Sequence, residues 1–143
     1  MWAFGRVPLA ISARCYHARA HGLAKDSCQF VCEKDADGLG VDTLDGAQFL
    51  AVNGVQTLSF SYANLIHEVG DLVADGVASL RLSPHSCDMV AVAETFRGVI
   101  DGRLDGEEGL ARLEGLGVGA PFSNGFLHGV AGATQMPQLG GSA

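Results

Sequence analysis

The sequence predicts an α/β protein with a cysteine-bearing loop, and three observations support this fold class. Apolar side chains recur at helical spacing in residues 62–75 and 88–100, on either side of a short β-type run at 77–83. A strand enclosed by two helices favours a parallel sheet. Residues 41–60 add β-type runs separated by turn dipeptides. Residues 15–32 carry three of the four cysteines.

The composition fits one globular domain without a nucleic-acid surface. Of the 143 residues, 48% are hydrophobic, which is enough for a normal core. The formal net charge is -7 and the 9 Lys and Arg residues are scattered, whereas phosphate binding needs clustered cations. No apolar run approaches the ~20 residues that span a bilayer, and the start lacks a secretory leader. We therefore expect a cytoplasmic protein with no transmembrane segment and no nucleic-acid partner.

The first forty residues predict a strand, a short helix and a loop, in that order. Residues 2–12 form an apolar β-type run, and Pro8 restricts that strand to a sheet edge or a break. Residues 14–20 are typical of a short helix. Residues 21–40 are rich in Gly, Asp, Lys and Ser, which predicts a loop ordered by whatever its thiols bind.

The next segments predict short antiparallel strands and then helices around one further strand. Turn dipeptides at Asp45-Gly46 and Asn53-Gly54 separate the strands within 41–60. We expect a helix over 62–75, a strand over 77–83 closed by Pro84, and a helix over 88–100. A glycine-weakened helix follows over about 106–116, and residues after 130 are small, polar and Gly-rich. The predicted organisation is therefore one domain over residues 1–130 and a flexible tail over 131–143.

Three cysteines have the spacing of metal ligands. Cys15, Cys28 and Cys32 follow the pattern C-x12-C-x3-C within a polar segment that offers no core for buried thiols. Thiolates are the soft ligands of iron-sulfur clusters and of zinc, and the spacing alone does not choose between these metals. Because the cytosol is reducing, metal ligation is favoured over disulfides.

Other candidate residues have simpler interpretations. His17 and His21 stand four residues apart and can complete a Cys/His zinc site, but exposed histidines on a solvated helix face explain them more simply. Cys87 lies just beyond a predicted strand, where it is interpreted as a thiol that caps the start of the next helix. Asp35 is assigned to a solvated turn. The GxGxxA match at residues 115–120 follows a helix instead of a strand, so it is interpreted as a connection.

Five segments, in register, resemble the UbiV branch of the collagenase-like peptidase family. The resemblance extends from residue 4 to about residue 130. The segments are FGRVPLAISARC (4–15), KDSCQFVC (25–32), LAVNGVQT (50–57), LRLSP (80–84) and FSNGFLHG (122–129).

The resemblance implies a fold and a cofactor. The family has a barrel-like α/β fold, and a full (β/α)8 barrel takes ~250 residues, so we expect this chain to be the C-terminal part of such a fold. The branch holds a four-iron, four-sulfur (4Fe-4S) cluster on four cysteines. Cys15, Cys28 and Cys32 match three of these ligands, and the fourth is expected upstream of residue 1.

The resemblance also implies partners and a process. Proteins of this branch act as heterodimers with a UbiU-like paralogue and work with a sterol-carrier-like accessory protein. Together they hydroxylate the ring of a hydrophobic quinone precursor during ubiquinone biosynthesis without dioxygen. Two alternatives stay open: a zinc-stabilised, non-catalytic binding module, and a peptidase true to the family name. No nucleophile-base pair or HExxH motif is visible, and no residue is assigned a catalytic role.

Overall fold

The computed structural model describes residues 1–137 as a mixed α/β structure with a six-stranded sheet. Its strands are β1 (Trp2–Ile11), β2 (Leu39–Asp42), β3 (Gln48–Asn53), β4 (Gln56–Asn64), β5 (Arg81–Leu82) and β6 (Phe122–Ser123). Its α-helices are α1 (Tyr16–Ala20), α2 (Val69–Ala74), α3 (Met89–Ile100) and α4 (Gly106–Glu114). Two 3₁₀ turns, Lys25–Ser27 and Val31–Lys34, lie between α1 and β2.

The sheet contains both parallel and antiparallel neighbours. Its order is β2-β3-β4-β1-β5, and β6 pairs with β4 outside this path. The β1–β5 and β4–β6 pairs are parallel, whereas β2, β3 and β4 form an antiparallel meander. Within residues 1–137, the expected parallel pairing thus occurs only where the two shortest strands, β5 and β6, pair with β1 and β4. Within residues 1–137 this order is an open path, so the barrel-like fold stays an expectation from the resemblance.

The chain divides into two compact units. One comprises Met1–Gly5 and the chain from Tyr62 onward, and the other comprises Arg6–Ser61. In the first unit, the rings of Phe4 and Phe96 pack edge to face with centroids 6.2 Å apart. The core of this unit also contains fully buried aliphatic side chains from α2, α3 and α4, and from the segment before α2. These are Ile66, Val69, Val92 and Leu113.

The two longest helices begin where the sequence predicts. The side chain of Asp88 accepts hydrogen bonds from the amides of Val90 and Ala91, both at 3.0 Å, which caps α3. At the start of α4, Asp105 and Glu108 form a reciprocal capping box. None of the helices within residues 1–137 is long and apolar enough to cross a membrane.

The predicted helix over 62–75 is wrong in its first half. Residues 62–64 are the end of β4, and only Val69–Ala74 is helical. Tyr62 and Ala63 pair with Phe122 and Ser123 of β6, a partner that lies about sixty residues further along the chain. Long-range pairing therefore overrides the local helical periodicity. The predicted strand over 77–83 likewise shrinks to Arg81–Leu82.

The second unit contains the predicted antiparallel strands and the turns predicted at the two dipeptides that end in Gly46 and Gly54. Gly46 and Gly54 have φ of +82° and +59°, which glycine adopts at no steric cost. Pro8 lies within β1, but β5 pairs with Trp2 and Phe4, so the proline stands beyond that pairing. Its missing N–H therefore removes no bond from the β1–β5 ladder.

The C-terminal segment is described as far as residue 137. The carbonyl of Thr134 accepts hydrogen bonds from the amides of Asn124 and Gly125 at 3.1 and 2.9 Å. The amide side chain of Asn124 also bonds to the backbone of Met136. Residues 138–143 of the predicted tail lie outside the described residues, and the tail stays a prediction.

Candidate metal centre

Cys15 stands at the start of α1, within the second unit. Its side chain is buried, and its Sγ accepts a hydrogen bond from the amide of Ala18 at 3.3 Å, as an N-cap residue does. As a thiol it also donates to the carbonyl oxygen of Gly54 at 3.2 Å. The backbone of α1 and the turn between β3 and β4 therefore fix the position of this sulfur.

Cys28 and Cys32 flank a strained stretch of backbone. Cys28 ends the turn Lys25–Ser27, and Cys32 lies within Val31–Lys34; both are half-buried. Between them, Gln29 and Phe30 have φ of +51° and +53°, although neither is glycine. A left-handed conformation costs an ordinary residue about 1–2 kcal/mol. Cys28 is right-handed, and a right-handed residue followed by a left-handed one forms a concave nest of backbone N–H groups, which suits anions.

The three cysteines do not form a closed group of ligand atoms. All four cysteines lie within residues 1–137, and none forms a disulfide. Thiolates sharing one zinc ion would lie about 3.8 Å apart, because each Zn–S bond is about 2.3 Å long. Within the described chain, the group of three ligand atoms that all lie within 4.8 Å of one another contains no cysteine. A four-iron cluster needs a wider spacing, since each thiolate binds a different iron. The predicted cysteine ligands therefore stay a prediction.

The group that does meet this distance is formed by His17, His21 and Asp35. Both histidines come from α1 and its C-terminal cap, and Asp35 ends the 3₁₀ turn Val31–Lys34. Nε2 of His17 lies 2.9 Å from Oδ2 of Asp35, and Nε2 of His21 lies 3.6 Å from the same oxygen. The two imidazole rings are stacked, with centroids 5.5 Å apart and an interplanar angle of 13°.

His17 is held from both sides. The ring is fully buried, and its Nδ1 lies 3.2 Å from the carbonyl oxygen of Val52 in β3. A carbonyl only accepts, so Nδ1 carries the proton and donates it to Val52. The second ring nitrogen, Nε2, consequently faces Asp35, whose side chain is 28% exposed.

This arrangement corrects two expectations. His17 is buried, not exposed; only His21 stays accessible, with 31% of its side chain exposed. Asp35 does not lie in a simple solvated turn, because it contacts both rings. The four-residue spacing of the histidines was the available clue, but nothing local indicates that Asp35, fourteen residues beyond His21, returns to them.

Comparison with known protein families decides the wider identity of the chain. The family described as peptidase family U32 matches residues 1–137. The chain belongs to peptidase family U32. The predicted membership of the collagenase-like peptidase family is thereby confirmed. No solved structure matches the chain.

Cys87 of this U32 chain has the surroundings of a packing residue. It is half-buried in the first unit, at the margin of that unit's core, and its Sγ lies 3.8 Å from Sδ of Met89. Its predicted role as the cap of the next helix is wrong, because the carboxylate of Asp88 caps α3. The GxGxxA segment connects α4 to β6, in agreement with its interpretation as a connection.

Sequence reasoning missed a second polar cluster in this U32 chain, within the first unit. Oε1 of Glu68, at the start of α2, accepts hydrogen bonds from Nδ2 of Asn124 at 2.7 Å and from Nε2 of His128 at 3.0 Å. Oε2 of Glu68 is buried and has no hydrogen-bond partner within residues 1–137. Asn124 is almost fully buried. The cluster ties α2 to the segment after β6, far apart in sequence, so no local pattern indicated it.

Proposed function

We propose that this chain is an iron-sulfur protein of oxygen-independent ring hydroxylation in ubiquinone biosynthesis. In this proposal Cys15, Cys28 and Cys32 hold three positions of a 4Fe-4S cluster, and a fourth cysteine comes from outside residues 1–143. The cluster supplies one-electron redox chemistry, which zinc does not. No residue of the chain is assigned an acid or base role.

The backbone between Cys28 and Cys32 is the observation that carries this proposal. Gln29 and Phe30 have positive φ in succession, and together they cost about 2–4 kcal/mol, since each left-handed residue costs about 1–2 kcal/mol. Such strain is typical of ligand-binding loops, where the free energy of ligand binding offsets it. The nest of N–H groups that begins at Cys28 suits a thiolate-ligated cluster, which is an anion.

The surroundings of Cys15 also support a cluster ligand. The amide of Ala18 donates to Sγ at 3.3 Å, and N–H···S bonds of this kind stabilise a thiolate and tune a cluster's potential. The proton that Sγ donates to Gly54 would be released on ligation, as for any thiol that binds a metal. These contacts support Cys15 as one ligand of the proposed cluster.

We further propose the partners that the family resemblance implies. They are a UbiU-like paralogue that forms a heterodimer with this chain, a sterol-carrier-like accessory protein and a hydrophobic quinone precursor. The second unit exposes large apolar side chains that are available for such contacts. Ile11, Phe30 and Phe49 are 80%, 71% and 58% exposed.

The test of this function uses the chromosomal gene, so that any sequence adjoining residues 1–143 is kept. Replacing Cys28 with Ser is expected to stop ring hydroxylation in cells grown without dioxygen, with accumulation of the unhydroxylated precursor by mass spectrometry. Ubiquinone made in air is expected to stay normal. Cys87→Ser is the matched control, because Cys87 lies in the other unit and packs against Met89. Normal anaerobic ubiquinone in the Cys28 variant would contradict the proposal.

The alternatives predict different results with the purified protein. A zinc-stabilised binding module would be colourless, contain zinc and unfold when a chelator is added. A peptidase, which the family name favours, would cleave denatured collagen or casein. Either result without an iron-dependent colour would replace the proposed function.

A further inference from the structure

The hydrogen bond from His17 to Val52 turns the second ring nitrogen toward a carboxylate. Nδ1 carries the donated proton, so Nε2 of His17, with either a second proton or a lone pair, faces Oδ2 of Asp35 at 2.9 Å. Two acceptors at this distance repel each other unless a positive charge stands with them. A cation bound by both atoms removes this repulsion. Ligating histidines usually donate their other ring N–H to a carbonyl or carboxylate, as His17 does to Val52.

The distances from Asp35 to the two histidine nitrogens fit one coordination sphere. Metal–nitrogen and metal–oxygen bonds of about 2.0–2.2 Å place adjacent ligand atoms about 2.9 Å apart at right angles and about 3.4 Å apart in a tetrahedron. The observed separations from Oδ2 of Asp35 are 2.9 Å to His17 and 3.6 Å to His21. All three atoms lie within 4.8 Å of one another. The two histidine nitrogens must approach to about 3.4 Å to share an ion in a tetrahedron, so side-chain movement closes the sphere wherever their separation exceeds that distance.

The supporting structure holds these ligands in place without a metal. His17 and His21 are four residues apart at α1, which puts both rings on one side of the helix. The full burial of His17 and its bond to Val52 fix one ring, whereas His21 and Asp35 face solvent and leave a path for an ion. Metal centres that keep an open position have three protein ligands. In such centres a ligating histidine is oriented by a hydrogen bond from its other ring nitrogen, as His17 is here.

We propose that His17, His21 and Asp35 bind a first-row divalent transition-metal ion, separate from the cysteine ligands. Two imidazoles and one carboxylate suit zinc or iron(II), and three protein ligands leave room for water or another small oxygen donor. None of the three ligands is a cysteine. An experiment can therefore disprove the proposed iron-sulfur cluster without affecting this metal site, and another can disprove this site without affecting the cluster.

Cobalt(II) is the probe that separates this site from a thiolate site. The full chain, stripped of metal with a chelator and kept anaerobic, is titrated with Co²⁺ alone. Nitrogen and oxygen ligands give weak d–d absorption, whereas thiolate ligands add a strong near-ultraviolet charge-transfer band. We expect one equivalent of Co²⁺ with d–d bands that Cys28→Ser leaves unchanged, and paramagnetic shifts of the His17 and His21 ring protons by NMR.

Variants at the exposed ligands complete the test. Asp35→Asn and His21→Ala should weaken Co²⁺ binding at least about 100-fold, since even outer-shell changes cost 10–100-fold. Asp26→Asn is the matched control, because Asp26 is an exposed aspartate of the same loop and outside the group. Failure of the wild-type chain to bind Co²⁺, as expected for a metal-free imidazolium–carboxylate pair, would overturn the proposal. Binding that survives Asp35→Asn or that disappears with Cys28→Ser would also overturn it.

Discussion

Replacing His17 with Ala should destabilise the second unit far more than replacing His21 with Ala. The His17 ring is fully buried, and its removal breaks the hydrogen bond to the Val52 carbonyl, which contributes about 0.5–1.5 kcal/mol. Removing a buried ring also opens a cavity, and large-to-Ala core changes cost about 2–5 kcal/mol. Because the imidazole is smaller and more polar than those side chains, we expect a loss of about 3–5 kcal/mol.

His21 is the matched comparison on the same helix. It faces the same carboxylate, but at 3.6 Å and with 31% of its side chain exposed. Exposed ion pairs contribute about 0–1 kcal/mol, so His21→Ala should cost no more than that. For a chain of this length, about 3 °C is lost per kcal/mol, which predicts a fall in Tm of about 10–15 °C for His17→Ala and under 4 °C for His21→Ala.

The assay is urea unfolding followed by circular dichroism, with a chelator present so that no metal contributes. Hydrogen exchange at the amides of α1 locates the effect in the second unit. If His17→Ala fails to fold, His17→Gln keeps a donor for Val52 and should lose about half as much stability. Equal effects of the His17 and His21 changes, or no effect of either, would refute the role assigned to the buried ring.

Two further changes test packing and electrostatics elsewhere. Gly5 has φ of +98°, and a Cβ there would lie 2.6 Å from Nε2 of His85, so Gly5→Ala should cost at least about 2–3 kcal/mol in chemical unfolding. Gly40→Ala is its control, since no described residue other than its chain neighbours lies within 4 Å of a Cβ at that position; an equal cost at Gly40 would contradict this reasoning. Separately, the hydroxyl of Thr43 donates to Asp45 and lowers the pKa of that carboxyl. Thr43→Val should raise this pKa in an NMR titration. In the wild-type chain, the pKa of Asp45 is lower in the folded state than in the unfolded state. The resulting stability is present above the unfolded-state pKa and is lost as the pH falls through the folded-state pKa. This loss of stability in acid should be smaller in Thr43→Val. An unchanged pKa in Thr43→Val would refute the assigned cause.

Local patterns predicted the elements that local interactions determine. The helix α3 begins at the residue after Asp88, whose carboxylate caps it. The turns at Gly46 and Gly54 follow from the positive φ that glycine tolerates. In both cases the deciding contacts span a few residues, so a sequence window contains them.

Elements that depend on distant partners were not predictable in the same way. The end of β4 at Tyr62 takes its strand conformation from pairing with Phe122, and its helical periodicity misled the prediction. The candidate metal centre depends on Val52 and Asp35, which reach His17 only through the fold. The burial of His17 therefore could not be read from its own neighbours, which include the basic residues Arg14, Arg19 and His21.

Chemical analysis of iron and acid-labile sulfide in the anaerobically purified protein tests the central claim most directly. A 4Fe-4S cluster predicts iron and sulfide in equal amounts, rising toward about four of each per chain when reconstitution supplies a fourth ligand. The content should fall to background in Cys28→Ser and stay unchanged in Cys87→Ser. Iron without sulfide, zinc in place of iron, or a content that the Cys28 change leaves unaltered would contradict the iron-sulfur assignment.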